Sequence, residues 1–489
     1  IHTTHFDIHY SQGGEALARR AADSLEPIYH RVSERTGMTL SERVPYLVYN
    51  AHPRFQQTNV IDQPLEEGIG GFTEIFKNRV VVPFDGSYER FDHVMAHELV
   101  HALMFNSFEK SAGSRLSGAV QSNLPLWFSE GLAEYASLGW DRASEYWLVD
   151  AVTSGYLPPP TVDFQGFLAY RAGQNFLHFL DHSFGEGTVR RLVAEALKNR
   201  DLDPAMRKVV RIDLRDAGEL WIRELRSAYW PELGQREQPR NAGRKLTKAR
   251  EDGSFWNMQP AISPDGKRIA WFSDKGARQA LWTGEIDKLP KKSAREVQSG
   301  AGTPSHESFS PFSSGLDWSP DGRRIAVAAL RSGRNVVQIL DARKGWIRKT
   351  IDPRLDALSN PAWSSDGRFI AFRGLLDGRS DLWLHDLETN ETRRLTDDAA
   401  DDDEPAFSPT AGSSPSPPTA AAMGATFGRW SSPRERFGAS RTTRPTTRAP
   451  PGAARATPRS WPSSPTDADC PRSTRCGRVR SPRRRGHVP

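Results

Sequence analysis

The first 409 residues of this 489-residue chain contain no cysteine; both cysteines, Cys470 and Cys476, lie near the far end. No disulfide can staple that stretch and no thiolate can ligate a metal there, so any metal site must use histidine and carboxylate. A cysteine-free body suits a cytosol as well as a periplasm. No run of 18 apolar residues occurs, which leaves no candidate for a membrane-spanning helix. The stretch from Thr410 to Pro489 lacks Lys, Leu and Ile altogether. It carries 15 Arg against three acids (Glu435, Asp467, Asp469), a charge of +12. The whole chain is +6, so residues 1–409 carry −6 and are mildly acidic. The high pI therefore gives no argument for a nucleic-acid partner of the foldable part. The chain opens at Ile1 rather than Met, directly into a strand-like alternation. This reads as a leader cut off or left out.

What is present divides in two. Residues 1–235 alternate strands and helices. The run His5–Tyr10, then Val44–Tyr49 and Arg79–Phe84, alternate or cluster apolar residues as strands do. Glu15–Thr36 has helical periodicity and stops at Gly37. Ser87 is placed to cap a helix from Tyr88 to about Asn106, and another is expected from Trp127 to about Leu138. Phe164–Trp230 is helical almost throughout. Residues 236–254 are polar and basic and read as a linker.

From Phe255 a repeat appears. Ile262-Ser263-Pro264-Asp265-Gly266 is echoed by Trp318-Ser319-Pro320-Asp321-Gly322 and by Trp363-Ser364-Ser365-Asp366-Gly367, each followed by a strand. Strands joined at an Asp-Gly turn and repeated at this period are the mark of propeller blades. The motif closely resembles the TolB-like (WD40-like) propeller repeat, which gives residues 255–409 about three blades. A fourth copy starts at Phe407-Ser408-Pro409 and then fails at Thr410. Restoring one nucleotide ahead of codon 410, with suitable synonymous codons, recovers Asp-Gly-Arg-x-Val-Ala-Phe. Residues 410–489 are accordingly expected to be a disordered low-complexity tail, the product of a shifted reading frame.

The chemistry sits in His97-Glu98-Leu99-Val100-His101. Histidines at i and i+4 stand one above the other on a helix, so both imidazoles can meet one ion, with Glu98 beside them to polarise a metal-bound water. A catalytic zinc takes three protein ligands and keeps one position open. The third ligand is sought in Trp127-Phe128-Ser129-Glu130-Gly131-Leu132-Ala133-Glu134, where Glu130 and Glu134 share a helix face. Glu130 is assigned as ligand, and Glu134 as acceptor of a hydrogen bond from a ligand imidazole; the alternative for this pair is a solvated acidic face. His93, one turn before His97, reads as a packing residue or a support to the ligands.

These two stretches resemble the gluzincin clan of zinc peptidases. The likeness covers roughly residues 1–235 and implies an α+β zincin-type fold, one Zn2+ per chain on His97, His101 and Glu130, and Glu98 as general base and then acid. The segment Ala169-Tyr170-Arg171-Ala172-Gly173 resembles the clan's Tyr-x-x-Gly helix, which makes Tyr170 the oxyanion candidate, with a core aromatic as the competing reading. The aminopeptidase branch's Gly-x-Met-Glu-Asn loop is replaced by Gly70-Gly71-Phe72-Thr73-Glu74, so recognition of a free amine is unsupported. Glu74 is left as a candidate cleft residue.

The expected protein is thus multidomain: a metallopeptidase domain, an incomplete all-β propeller and a tail. Its expected substrate is a peptide or protein, laid along the edge strand near Arg79–Phe84. A further protein partner is expected on the propeller. The repeat's relatives suggest a periplasmic or extracellular location. The alternative is a non-catalytic propeller scaffold carrying a relic peptidase domain.

Overall fold

The computed structural model describes residues 1–408, apart from 63–64, 121, 141, 165, 235–236, 238, 250, 291–293, 301 and 398–400. The expected tail, residues 410–489, lies outside the described residues.

The first half is a mixed four-stranded sheet with helices packed on it. Its strands are β1 (Phe6–Tyr10), β2 (Val44–Tyr49), β3 (Phe72–Glu74) and β4 (Arg79–Pro83), in the order β1-β2-β4-β3. β1, β2 and β4 are parallel, and β3 returns antiparallel on β4. This corrects one expectation. Arg79–Pro83 is an interior strand, because Asn78, at φ +49°, turns the chain so that β3 is laid outside it. The edge strands are β1 and β3, and β3 is the one beside the candidate site.

Helix α1 (Glu15–Thr36) ends at Gly37 in the left-handed region, φ +75°. The short α2 (His52–Phe55) follows β2. α3 (Tyr88–Ala112) is capped by Ser87, whose Oγ accepts from Arg90 N–H, and runs six residues past its expected end at Asn106. Tyr46 of β2 is buried and donates its hydroxyl to the Met95 carbonyl, 3.1 Å away, fixing α3 on the sheet. Then come α4 (Arg115–Val120), α5 (Leu126–Ser137), α6 (Arg142–Thr153), α7 (Phe167–Phe184), α8 (Thr188–Asn199), α9 (Leu202–Val209), α10 (Leu214–Leu233) and α11 (Pro239–Ala242). One hydrophobic core runs from Phe6 and Tyr46 through Leu99, Trp127 and Phe176 to Trp221.

α5 and α7 cross at two glycines. A Cβ on Gly173 would lie 2.2 Å from the Trp127 carbonyl oxygen, and one on Gly131 would lie 2.4 Å from the backbone of Gly173. Only glycine allows helices this close, and the contact sets Glu130 beside Tyr170.

The second half consists of three antiparallel sheets, of four, five and four strands among the described residues, none closed on itself. The first holds β5 (Asn257–Ile262), β6 (Arg268–Ser273), β7 (Ala280–Glu285) and β8 (Arg295–Ser299). The second holds β10 (Leu316–Trp318), β11 (Arg324–Arg331), β12 (Arg334–Asp341) and β13 (Ile347–Ile351), with β9 (Ser308–Phe309) also on β11. The third holds β14 (Ala357–Trp363), β15 (Phe369–Leu376), β16 (Arg379–Asp386) and β17 (Thr392–Arg394). The leading strands β5, β10 and β14 pack in succession, as in propeller blades.

The repeated turn has one construction in all three sheets. Ser263, Ser319 and Ser364 each donate to the aspartate two residues on, at 2.6, 2.5 and 2.6 Å. Gly266, Gly322 and Gly367 sit at φ +69°, +65° and +74°, which the tight turn requires. Neighbouring sheets are stitched: the Arg268 guanidinium lies 4.8 Å over the Trp318 ring, and Arg324 lies 4.7 Å over Trp363. Trp318 also donates its indole N–H to the Ala261 carbonyl at 3.0 Å. Part of the expected linker is attached to the first sheet, since Arg244 donates to the carbonyls of Leu289 and Ile286.

The halves meet directly. Tyr88 donates to the Gly378 carbonyl at 3.2 Å, Gln57 to that of Gly333 at 3.0 Å, and Arg373 to that of Asp85 at 2.5 Å. Leu375 of β15 belongs to the first half's core.

Candidate metal centre

α3 lies on the sheet with one face turned toward α5 and α7. His97 and His101, one turn apart, point from that face to Glu130 on α5. His97 Nε2 is 3.2 Å from Glu130 Oε2 and 3.3 Å from His101 Nε2; His101 Nε2 is 3.4 Å from Glu130 Oε2. Donors around a tetrahedral zinc, with bonds of about 2.0–2.1 Å, are about 3.3 Å apart. The three donor atoms thus form a triangle of the size a zinc ion requires, in a chain half without cysteine.

Other groups surround the triangle. Glu134, four residues after Glu130, sets Oε1 3.1 Å from His97 Nδ1. Its Oε2 accepts from Arg171 Nη1 at 2.7 Å and lies 3.4 Å from His93 Nε2. Arg171 also donates to Ser144 Oγ at 3.0 Å. His93, His97 and Glu134 form a second possible cluster. Arg171 already neutralises Glu134 there, so a divalent ion would face a guanidinium at close range. Among the described residues, the ion pairs of Glu130 are with imidazoles alone.

The charges show what the site demands. Burial works against charge on His97, yet Glu130, Glu134 and Glu98 outweigh it and raise its pKa to about 10. Burial likewise pushes Glu130 and Glu134 up, but His101 and His97 hold the first well below the carboxylate range, and His93 and His97 hold the second there. The three carboxylates thus favour positive charge at His97.

Glu98 is buried. Its Oε2 lies 2.8 Å from Thr73 Oγ1, which also reaches the Glu98 carbonyl at 2.9 Å. Thr73 is on β3, so this edge strand of the sheet holds the carboxylate in place. Tyr170 stacks on His97, ring centroids 5.8 Å apart and planes 21° apart. Burial, then the carboxylates of Glu130 and Glu98, push its phenol far above the usual value, so it stays protonated and able to donate. A cavity of about 380 Å³ opens here, lined by Gly70, Gly71, His93, His97, Glu98, Glu134, Tyr170 and Arg171 among others.

All six candidate residues from the sequence come together. Glu74 does not: it is buried away from the cavity, paired with Arg79 at 3.0 Å and accepting from the Lys77 backbone N–H at 3.2 Å. The residue of that loop that reaches the centre is its neighbour Thr73. Arg171 was also missed; the available signal was that a second buried carboxylate needs a cation.

No family model matches this chain, and no curated protein matches it. Among solved structures it is similar to TolB from Agrobacterium tumefaciens, with 22% identity over 31% of this chain and 50% of that one, at a TM-score of 0.26. It is similar to TolB from Acinetobacter baumannii, with 19% identity over 35% of this chain and 39% of that one, at 0.28. It is also similar to an acylaminoacyl peptidase solved with a chloromethyl ketone, with 17% identity over 33% of this chain and 27% of that one, at 0.23. The chain spans half or less of the length of each. At these identities and scores the likeness carries no argument about activity. Among the described residues no helix is long and apolar enough to cross a membrane.

Proposed function

We propose that this chain is a zinc-dependent peptidase that holds one zinc ion per chain on His97, His101 and Glu130. The observation that carries the reading is the donor triangle, with edges of 3.2, 3.3 and 3.4 Å, beside the buried carboxylate of Glu98 on the same helix. Bound zinc would supply a Lewis acid that polarises a peptide carbonyl and lowers the pKa of a water molecule. The chain's own residues do the rest. Glu98, oriented by Thr73, takes the water's proton and passes it to the leaving amine. Tyr170, kept protonated by burial and its acidic neighbours, donates to the oxygen on which negative charge develops. Glu134, anchored by Arg171, orients His97 from its second nitrogen. The sheets of the second half serve as a docking module for the substrate or a protein partner. The likeness of the Ser-x-Asp-Gly repeats to the TolB-like propeller repeat is the ground for a periplasmic or extracellular location.

The test is zinc content by elemental analysis of the full chain, with casein hydrolysis in parallel, for wild type, His97→Ala and Glu98→Gln. The expected result is about one zinc in wild type and Glu98→Gln, none in His97→Ala, and cleavage by wild type alone. A well-folded wild type without zinc would overturn the reading and leave the non-catalytic scaffold.

A further inference from the structure

A second cavity, of about 360 Å³, lies where the two halves meet. Its wall on one side includes Gly70, Val94 and Phe167, and these residues also line the cavity at the metal centre. Its wall on the other side comes from the second sheet of the propeller half and the loop before it, with Phe312, Leu330 and Asn335. The two cavities therefore adjoin: one lies at Glu98, the other reaches the propeller half, and Gly68, Gly70, Val94 and Phe167 line both.

The lining says what fits. Phe167 and Phe312 are large apolar side chains left 57% and 41% exposed; each packs one side on a tryptophan, Trp147 and Trp256, and both line the cavity. The charges in the second cavity are engaged within the protein. Arg90 is paired with Asp85 at 2.5 Å, and Glu67 accepts from the Ser313 backbone N–H at 2.9 Å and the Ser313 hydroxyl at 2.6 Å. What remains is neutral: aromatic and aliphatic surface, serine hydroxyls and an amide. Among the described residues the charged groups of this cavity already have partners, so its neutral, largely apolar surface suits an extended polypeptide with apolar side chains better than a charged small molecule.

Resting on the peptidase reading, we propose that the substrate is an extended, unfolded polypeptide whose scissile bond lies at Glu98 while a flanking segment runs through the interface cleft and contacts Phe312 and Asn335 of the propeller half. The propeller thereby contributes directly to substrate selection. A folded protein, or a peptide too short to reach across, uses only half of the site.

The experiment uses the full chain and two neutral, apolar, fluorogenic peptides with the same central bond, one short and one extended on both sides. Rates are measured for wild type, Phe312→Ala and Asn335→Trp, with zinc content and melting temperature as folding controls. Binding of the extended peptide to each protein is read by fluorescence anisotropy, with Glu98→Gln as the inert reference. Wild type should favour the extended peptide through a lower KM. Phe312→Ala should lower the ratio of kcat/KM, extended over short, by about tenfold, the size of effect expected from removing an aromatic anchor; Asn335→Trp should lower it too, because the larger side chain fills the space the flanking segment needs. Cleavage of both peptides alike, or a preference that survives both variants, overturns the proposal and leaves the peptidase reading intact. No cleavage, but cleft-dependent binding of the extended peptide, supports the cleft and overturns the peptidase reading. No cleavage and no cleft-dependent binding overturns both.

Discussion

At Gly71 the chain has no room for a methyl group. A Cβ there would sit 2.9 Å from Val94 Cγ1 and 3.2 Å from Glu98 Cγ, so Gly71→Ala must push the carboxylate aside while leaving the three donors alone. The expected outcome is unchanged zinc content and a fall in kcat of about 10–100-fold, the scale on which a displaced catalytic group loses rate. Unchanged kcat would show that Glu98 tolerates displacement and is not the base. Glu134 tests the same centre from the other side. Glu134→Gln keeps the shape but removes the charge facing His97 Nδ1, and zinc affinity, titrated against a chelating dye, should fall about 10–100-fold. That His97 and His101 share one helix face was legible in the sequence because i and i+4 on one helix is local geometry. Thr73 and Arg171 were not, because each reaches the centre only through the packing of β3 and α7 against other elements.

The elements meet at points that a sequence does not mark. Gly131 and Gly173 look like ordinary helix interruptions until α5 and α7 are seen touching through them. Gly173→Ala should cost about 1–3 kcal/mol by overpacking, read as a lowered melting temperature, and should weaken zinc binding because Glu130 rides on α5. A variant with wild-type stability would mean that the helices can part without penalty. The contact between the halves has its own signature. Burial of Glu67 raises its pKa to about 7, against the hydrogen bonds from Phe312 and Ser313 that favour its charge. A carboxyl with a raised folded-state pKa favours the folded state most below its unfolded value, about 4.5. That contribution is lost as pH climbs through about 7. Wild type should therefore lose thermal stability relative to Glu67→Gln between pH 5 and 8, measured by calorimetry. Parallel curves for the two proteins would remove Glu67 from the account. The strands Val44–Tyr49 and the helix Glu15–Thr36 were readable to the residue, since alternation and a terminal glycine define them. β3, at three residues, and the short α2 were too brief for any periodicity, and missing β3 is what made β4 read as an edge strand.

On the scale of the molecule, the three sheets are stitched in succession, one to the next, by an arginine over a tryptophan. Removing one link should be felt locally. Trp318→Ala deletes the indole that bonds to Ala261 and lies under Arg268, at a cost of about 3–5 kcal/mol to the second half. Urea unfolding followed by far-UV circular dichroism should show that loss, while zinc content stays at the wild-type level. A simultaneous loss of zinc would mean that the halves unfold as one. The repeats were plain in the sequence, since Ser-x-Asp-Gly recurs with its glycine, whereas the seating of these sheets against the first half was not, because it rests on single contacts such as Arg373 with Asp85 and Tyr88 with Gly378. The stitching between sheets also has a direction. Arg268 reaches forward to Trp318, and Arg324 reaches forward to Trp363; in both pairs the guanidinium comes earlier in the chain than the ring it covers. During synthesis on the ribosome each arginine is therefore made before the tryptophan it covers, so neither of these contacts can close until the following sheet has begun to emerge.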